Sequence, residues 1–260
     1  MSARNFLVFR LLGPMAAWGE IAVGERRGSW DVPSKSAIMG LLAAGLGIER
    51  TETQAHEALD RGLGLAIRQD SAGRTLRDYH TAQAPKARKN ARWRTRREEL
   101  ASDDLNTVLS DRIYRVEASA TLVVWQRTET SGPSLDVLEA ALRRPRFVPY
   151  LGRKACPLGW PPRPRVVKTA GLLAAFDAYD GAEYEADQTL KRWLPWSLRT
   201  TTQQRTVWFE FAAGLDVEEA QAVERRSRRD GLMNRTLWQF TDRVEGRLTW
   251  QAPVHGEMAS

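Results

Sequence analysis

Short apolar runs alternate with amphipathic segments along the amino-terminal half of the chain. Residues 6–12 are almost continuously apolar and stop at Gly13-Pro14, which predicts a buried strand. Ser34 stands where an N-cap belongs, ahead of a helix predicted over about 35–46, and a second helix is predicted over about 52–61. Apolar residues return at 65–68 and predict another strand. Residues 75–81 are a further strand candidate.

The same order of elements recurs after residue 118. Residues 119–126 predict a strand, residues 134–143 a helix, and residues 147–150 an extended segment that leads into a glycine-containing loop. Two strand–helix–strand units in succession are typical of a ferredoxin-like, or RRM-like, sandwich. We therefore predict an α+β protein with a ferredoxin-like domain over 1–164, interrupted by an insertion at about 82–111.

The carboxy-terminal third has a different pattern. Beyond Pro161-Pro162-Arg163-Pro164, strands are predicted at 166–168, 206–211 and 247–250. Residues 216–229 have helical spacing with an acidic start and an arginine-rich end, which suits the helix dipole and predicts a helix. The arginines at 225–229 fit a favoured helix end and a phosphate contact equally well. We expect 165–260 to form a smaller β-rich region packed on the first domain.

Composition narrows the class of function. The 260 residues include 39 Lys and Arg against 32 Asp and Glu, a net charge of +7 that favours a nucleic-acid partner. Cys156 is the single cysteine, and the three histidines are scattered, so neither a disulfide nor a metal site nor a cofactor is predicted. We find no signal peptide and no apolar run long enough for a membrane span. We expect a cytoplasmic protein with no membrane partner.

The densest positive charge lies in the predicted insertion. A basic projection that includes an aromatic ring can neutralise phosphates and place the ring against a base. The alternative is an ordinary solvated loop. The candidate RNA-binding residues in this run are Lys86, Arg88, Lys89, Arg92, Trp93, Arg94, Arg96 and Arg97.

Two other segments have the chemistry of an anion site. The glycine loop, residues 149–159, presents Tyr150, Arg153 and Lys154 beside Gly152, whose freedom exposes backbone amides. The segment Pro33-Ser34-Lys35-Ser36 opens a helix, where free amides and the dipole attract anions. The alternative there is a plain serine cap followed by an exposed lysine. The Walker A pattern is absent, so nucleotide hydrolysis is not implied.

The strand candidate at 75–81 combines Arg77, Tyr79 and His80. A metal-independent ribonuclease could use His80 as general base, with Tyr79 and Lys35 assisting. In the alternative, which we prefer, Tyr79 and His80 form hydrogen bonds within the sandwich, and no residue is catalytic.

Four motifs, in their order and spacing, resemble the CasD family of the type I-E CRISPR surveillance complex, Cascade. They lie at 12–19, 33–36, 77–81 and 149–159, and the resemblance covers about residues 5–160. It implies a RAMP-superfamily ferredoxin-like fold, a thumb-like hairpin at the insertion, and a non-catalytic subunit. Such a subunit holds the 5′ handle of the CRISPR RNA (crRNA) and caps the backbone of a complex that surveys foreign DNA.

The resemblance also implies partners and contacts. The partners are the crRNA 5′ handle, the repeated backbone subunit, the large subunit and target DNA near the complex. The alternatives are a metal-independent endoribonuclease that processes precursor crRNA and a generic basic RNA-packaging protein. For Trp18 a position in the core fits as well as an RNA contact. Outside the insertion run, the RNA-binding candidates are Trp18, Ser34, Lys35, Ser36, Arg77, Arg112, Tyr114, Tyr150, Gly152, Arg153 and Lys154.

Overall fold

A computed structural model describes residues 3–22, 24–86, 92–101, 104–127, 132–186, 204–212, 215, 217, 223–234, 237 and 239–252. These residues form strands and helices in the following chain order: β1 (Arg4–Leu12), β2 (Met15–Ala16), β3 (Trp18–Gly19), β4 (Arg26–Arg27), β5 (Ser29–Trp30), α1 (Lys35–Leu46), α2 (Thr53–Gly62), β6 (Leu63–Ser71), β7 (Arg74–Pro85), α3 (Arg96–Leu100), β8 (Leu105–Val116), β9 (Ser119–Gln126), α4 (Leu135–Arg143), β10 (Arg165–Thr169), α5 (Leu172–Ala186), β11 (Gln204–Glu210), β12 (Glu224–Asn234) and β13 (Gln239–Gln251).

A seven-stranded sheet forms the centre of the described structure, in the order β10-β1-β9-β6-β11-β13-β12. Every neighbouring pair of strands in it is antiparallel. Helices α1 and α2 connect β1 to β6, and α4 lies between β9 and β10 in the chain. The sheet continues through β11, so the carboxy-terminal strands extend the amino-terminal ones. The fold is therefore a strand-rich mixture of α and β structure.

Both faces of the sheet are buried at its central strands, which explains the continuous apolar runs of β1 and β9. Alternation along β1 sends Leu7 and Phe9 to one face, where they pack in a first core with Ile38 of α1 and Leu138 of α4. Phe6 and Val8 point to the other face and pack in a second core that α5 covers with Phe176. The strands β1 and β9 and the helices α1, α2 and α4 agree with the sequence predictions within two residues, whereas β6 and β13 are longer than predicted.

The prediction of a helix over 216–229 is wrong for the residues of this range that the structure describes. Residues 224–234 form strand β12, which pairs with β13. Charged side chains fill five of the six positions 224–229, so their spacing does not distinguish a helix from a strand, and pairing with the 13-residue strand β13 favours the strand. Residues 216 and 218–222 lie outside the described part. Helix α5, of 15 residues, was not predicted in a region expected to be β-rich.

The insertion is longer than predicted. Strands β7 and β8 pair from Arg74↔Val116 to Pro85↔Leu105, so the projection spans 74–116 rather than about 82–111. Twelve residues per strand correspond to an arm about 40 Å long. The base of the arm is held by pairing of β8 with β2 and β4.

Two other sequence expectations need comment. Residues 147–150 form no strand, and Tyr150 makes only an isolated bridge with Pro157. Strand β10, just after the expected boundary at 164/165, pairs with β1 in the central sheet. The division into two domains stays a prediction. Among helices of the described residues, none is long and apolar enough to cross a membrane.

A buried charge cluster attaches α5 to the sheet. The Arg68 side chain donates to Asp70 at 2.7 Å and to Asp180 of α5 at 3.0 Å. Asp70 also accepts a hydrogen bond from the Thr121 hydroxyl at 2.6 Å. Burial alone raises the pKa of Asp70, but the charges of Arg68, Arg10 and Arg205 outweigh it and hold that pKa below its ordinary value.

This lowered pKa predicts a pH-dependent stability. Asp70 stabilises the fold at pH values above the ordinary aspartate range, and this contribution is lost as pH falls through the lowered pKa. At pH 7, Asp70→Asn should reduce the free energy of unfolding by about 3 kcal/mol, because the buried Arg68 loses one of its two carboxylate partners and keeps only Asp180. Urea unfolding at a series of pH values should show the difference from wild type shrinking towards pH 3. A constant difference would contradict this account.

Candidate nucleic-acid interface

Two grooves meet along the outer side of α1. The larger, of about 650 Å³, lies between α1 and the glycine loop, and the smaller, of about 500 Å³, lies between the start of α1 and the β12–β13 hairpin. The two grooves share the lining residues Gly19, Glu20, Ser34, Ser36 and Phe240, so we treat them as one feature, the α1 groove.

The floor and walls of the α1 groove differ in chemistry. Helix α1 forms the floor with small side chains, including Ser36, Ala37 and Gly40, so a ligand can approach the helix closely. The rings of Phe147 and Tyr150 line a wall and are 45% and 41% exposed. Basic side chains also line the groove, and they are Arg27, Arg50, Arg153 and Arg229. This combination suits a single strand, with bases stacked on rings and phosphates against guanidinium groups.

The glycine loop is fixed against the segment after β2. The Ala17 amide donates to the Leu151 carbonyl at 2.9 Å, and the Leu151 amide donates to the Cys156 carbonyl at 2.7 Å. Gly152 has φ of 86°, and a Cβ built there would lie 1.8 Å from the Ala17 carbonyl oxygen. Glycine is therefore required at 152 for the loop to close in this position.

Arg153 holds the glycine loop to the base of the hairpin. Its guanidinium donates to the carbonyls of Ile113 at 3.2 Å and Arg27 at 3.0 Å. The same group stacks on Tyr114, 4.7 Å from the ring centre. Tyr114 is only 7% exposed, so the prediction that it offers a stacking surface beside Arg112 is wrong. Lys154 is exposed in the same loop, and Arg112 is half-buried with its Nε donating to Ser110 at 3.1 Å.

Acceptors within the protein already bind the backbone amides at the start of α1. The Lys35 amide donates to the Asp230 carboxylate at 2.8 Å, and the Ala37 amide donates to the Ser34 hydroxyl at 3.1 Å. These two acceptors take the place of the phosphate that we predicted at this helix start. Ser34 and Lys35 are structural residues, and both predictions are corrected. Ser36 is half-buried and lines the α1 groove, so it remains a candidate contact.

The Lys35 side chain is also buried. Its ammonium lies 3.1 Å from Glu210 and donates to the Asp60 carbonyl at 2.7 Å. Burial raises the pKa of Asp60 above its ordinary value in spite of the Lys35 charge alongside. Further buried and half-buried residues complete this set, which we call the Lys35 cluster: Lys35, Asp60, Glu210, Arg228, Asp230, Arg243 and Glu245. The cluster joins α1 to β11, β12 and β13.

The three residues of the ribonuclease alternative are in unlike environments. His80 is exposed on β7 opposite Ser110, and Tyr79 is 60% exposed. Lys35 is enclosed by carboxylates and is not available to a substrate. The structural alternative for Tyr79 and His80 is also wrong, because both side chains lie on the projecting arm rather than within the sandwich. Arg77, on the same strand, pairs with Asp111 at 2.9 Å.

Trp18 belongs to the first core. Its ring is 4% exposed, so the prediction of an RNA contact there is corrected. Its cross-strand neighbour Trp30 is 37% exposed and lines the smaller part of the α1 groove. The sequence analysis missed Trp30, Phe147 and Phe240 as possible contacts. Each lies outside the motifs we considered, and no spacing signal points to it.

The tip of the hairpin is basic but partly compensated. Lys86 pairs with Asp104 at 3.0 Å, and Arg96 pairs with Glu99 at 2.5 Å, so acids just beyond the predicted run neutralise part of its charge. Trp93 is 42% exposed at this tip. The other described basic residues of the tip are all exposed, and they are Arg92, Arg94 and Arg97. Arg88 and Lys89 lie outside the described residues.

Solved structures with this fold come from CRISPR-associated proteins. The structure titled "CRISPR RNA-guided surveillance complex" has a chain that matches with a TM-score of 0.60 and 23% identity, over 96% of this chain and 92% of that one. "Crystal structure of Cas protein" matches with a TM-score of 0.56 and 21% identity, over 95% of each chain. At these identities the likeness concerns the fold alone.

The sequence comparison is more specific. Residues 6–240 match the family described as CRISPR-associated protein (Cas_Cas5), and the chain therefore belongs to the Cas5 family. It is 36% identical over 166 residues to "CRISPR system Cascade subunit CasD" of Escherichia coli (strain K12), which covers 61% of this chain and 69% of that protein. The family recognised from the sequence motifs is confirmed.

Proposed function

We propose that this chain is the non-catalytic Cascade subunit that holds the 5′ handle of crRNA, and that it does so in the α1 groove. The observation that supports the proposal most is the position of the groove, whose rings and cations meet the base of the projecting hairpin through Arg153. A relative named as Cascade subunit CasD supports the same assignment.

The chemistry of the α1 groove matches a short single strand. Tyr150 and Phe147 offer ring faces to two neighbouring bases, while Arg27 and Arg50 lie close enough to the same groove to contact phosphates. A strand leaving the groove at the glycine loop reaches the base of the β7–β8 arm. The exposed tip, with Trp93 and Arg92, then lies across the guide beyond the handle.

Finer points of fold, assembly and location belong to the same proposal. We infer that β1, β6, β9 and β10, with α1 and α4, are a ferredoxin-like unit, because the order β10-β1-β9-β6 and its antiparallel directions fit that arrangement. Residues beyond β10 would then be the smaller second region. The proposed partners are the repeated backbone subunit, the large subunit and target DNA near the complex. The proposed location is the cytoplasm, and no cofactor is involved.

The test is binding of a labelled crRNA handle to the purified full chain. Tyr150→Ala removes one stacking ring, worth about 1–3 kcal/mol per base, and should weaken handle binding by about 5- to 150-fold. Val148→Ala is the matched control, because Val148 is two residues away, 84% exposed and absent from the groove lining. Its affinity should equal that of the wild type.

The proposal also requires that the subunit recognise the handle at the 5′ end of the RNA. RNA with the same sequence moved to the 3′ end should bind more weakly, and incubation with precursor crRNA and a chelator should leave that RNA intact. Equal binding of both RNAs, with no effect of Tyr150→Ala, would refute handle binding in the groove. Cleavage that disappears in His80→Ala would establish the ribonuclease instead.

A further inference from the structure

Strand β12 forms one edge of the seven-stranded sheet and presents a row of basic and polar side chains. Alternation along a strand directs Arg225, Ser227 and Arg229 to one face, and all three are exposed. Successive members of this row, which we call the β12 row, are about 6–7 Å apart along the strand. This spacing is similar to the separation of successive phosphates in an extended single strand of nucleic acid.

Arg225 is held in place by an aromatic ring. Its guanidinium carbon lies 4.3 Å from the centre of the Phe211 ring, and Phe211 in turn packs edge-on against Phe209 of β11. Stacking restricts the side chain while leaving the planar guanidinium edge able to donate two parallel hydrogen bonds. A pre-positioned guanidinium loses little conformational freedom when it binds a phosphate.

Arg229 connects the β12 row to the α1 groove. It lines the smaller part of that groove together with Trp30 and Ser36. Opposite Arg229 on β13 lies Asp242, which is exposed and reduces the net charge of the row. A strand of nucleic acid that leaves the groove at this end therefore meets Arg229 first, then Ser227 and Arg225.

The opposite face of β12 is different. There Glu224 accepts hydrogen bonds from Arg226 at 2.8 Å and from Arg247 at 3.0 Å, and Arg228 is buried against the Trp30 ring. The two arginines that accompany Glu224 also stack near Trp208, so both guanidinium groups have partners within the fold. The asymmetry between the two faces singles out the β12 row as the side that faces a ligand.

We propose that the β12 row is a second nucleic-acid contact, which binds the phosphodiester backbone of a single strand without reading its bases. Continuity with the α1 groove, the strand-like spacing and the stacked Arg225 favour a nucleic acid over an acidic protein partner. The proposal is separate from handle recognition, because the row contains no ring that faces a base.

The experiment measures binding of the full chain to labelled oligouridylate and oligothymidylate, neither of which contains a handle, over a series of KCl concentrations. The variant Arg225→Ala/Arg229→Ala should weaken binding at low salt by about tenfold per arginine. It should also flatten the plot of log affinity against log salt by about 1.4, since each phosphate contact contributes about 0.7 for single strands. Asp242→Asn should strengthen binding, because it removes an acid that lies opposite Arg229 on β13.

The matched control is Arg226→Ala/Arg247→Ala, which removes the same charge from the other face and should change the salt slope much less. Loss of slope for either oligonucleotide supports the proposal and identifies whether RNA, DNA or both are bound. Equal effects of the two double variants would show a general electrostatic response and would overturn the proposal. Unchanged binding would also overturn it, because that is the result expected if the β12 row docks a protein. The same salt series in a Tyr150→Ala background separates this proposal from handle binding. The change in salt slope caused by Arg225→Ala/Arg229→Ala should persist there even if the α1 groove does not hold the handle.

Discussion

Replacing Lys35 with alanine should lower the free energy of unfolding by about 3–5 kcal/mol, although a lysine at a helix start looks like a surface residue. Its ammonium lies 3.1 Å from Glu210, and both side chains are 3% exposed. Removing the cation leaves buried carboxylates with less compensation in a medium that solvates them poorly. Urea unfolding followed by circular dichroism measures the loss.

Lys154→Ala provides the control for Lys35→Ala, since Lys154 is an exposed lysine whose removal should change stability by less than about 0.5 kcal/mol. A double variant with Glu210→Gln should cost less than the two single changes added together, because the two residues share one interaction. If Lys35→Ala loses less than about 1 kcal/mol, the Lys35 cluster does not hold α1 to the carboxy-terminal strands.

Gly152→Ala should disturb both the fold and RNA binding. A left-handed backbone costs about 1–2 kcal/mol for a residue with a Cβ, and here the new atom would lie 1.8 Å from the backbone oxygen of Ala17. The loop must therefore move away from the segment after β2. We expect a loss of at least about 2 kcal/mol in stability and more than tenfold in handle affinity, because Tyr150 and Arg153 move with the loop.

Gly40→Ala is a control variant whose stability should change in the opposite direction to that of Gly152→Ala. Gly40 lies in α1, and a Cβ there meets nothing within 4 Å. Alanine is better than glycine inside a helix by about 1 kcal/mol, so this variant should be more stable than the wild type. Thermal unfolding of both variants compares them directly. A stable Gly152→Ala protein with normal handle affinity would show that the glycine loop tolerates another conformation.

Local patterns were enough to predict much of the fold. Strands β1 and β9 and helices α1, α2 and α4 have strong periodicity, clear caps or both, and their neighbours in the fold reinforce the local preference. Residues 224–229 show the limit of this approach. Charged residues fill nearly all of these positions, so their spacing favours neither a helix nor a strand, and only pairing with β13, formed by residues further along the chain, decides between the two.

The site was less predictable for a related reason. Tyr150, Ser36 and Gly152 were predicted and line one groove. Lys35 contacts Glu210 and Asp230, which are about 175 and 195 residues away along the chain, and nothing in the sequence near position 35 indicates these partners. Arg153 and Tyr114 were each predicted to face RNA, but the fold stacks one on the other. A cation or ring suited to RNA is equally suited to a partner within the protein.

The pairing of β11 with β6 has a consequence for any shortened form of the chain. From Ala66↔Phe209 to Gln69↔Thr206, β11 covers what would otherwise be the open side of β6. A fragment ending before residue 204 would leave those amides and carbonyls unpaired and strip Val207, Phe209 and Trp250 from the second core. Open strands of this kind join to one another and aggregate. The carboxy-terminal strands thus protect the edge of β6 from pairing with other chains.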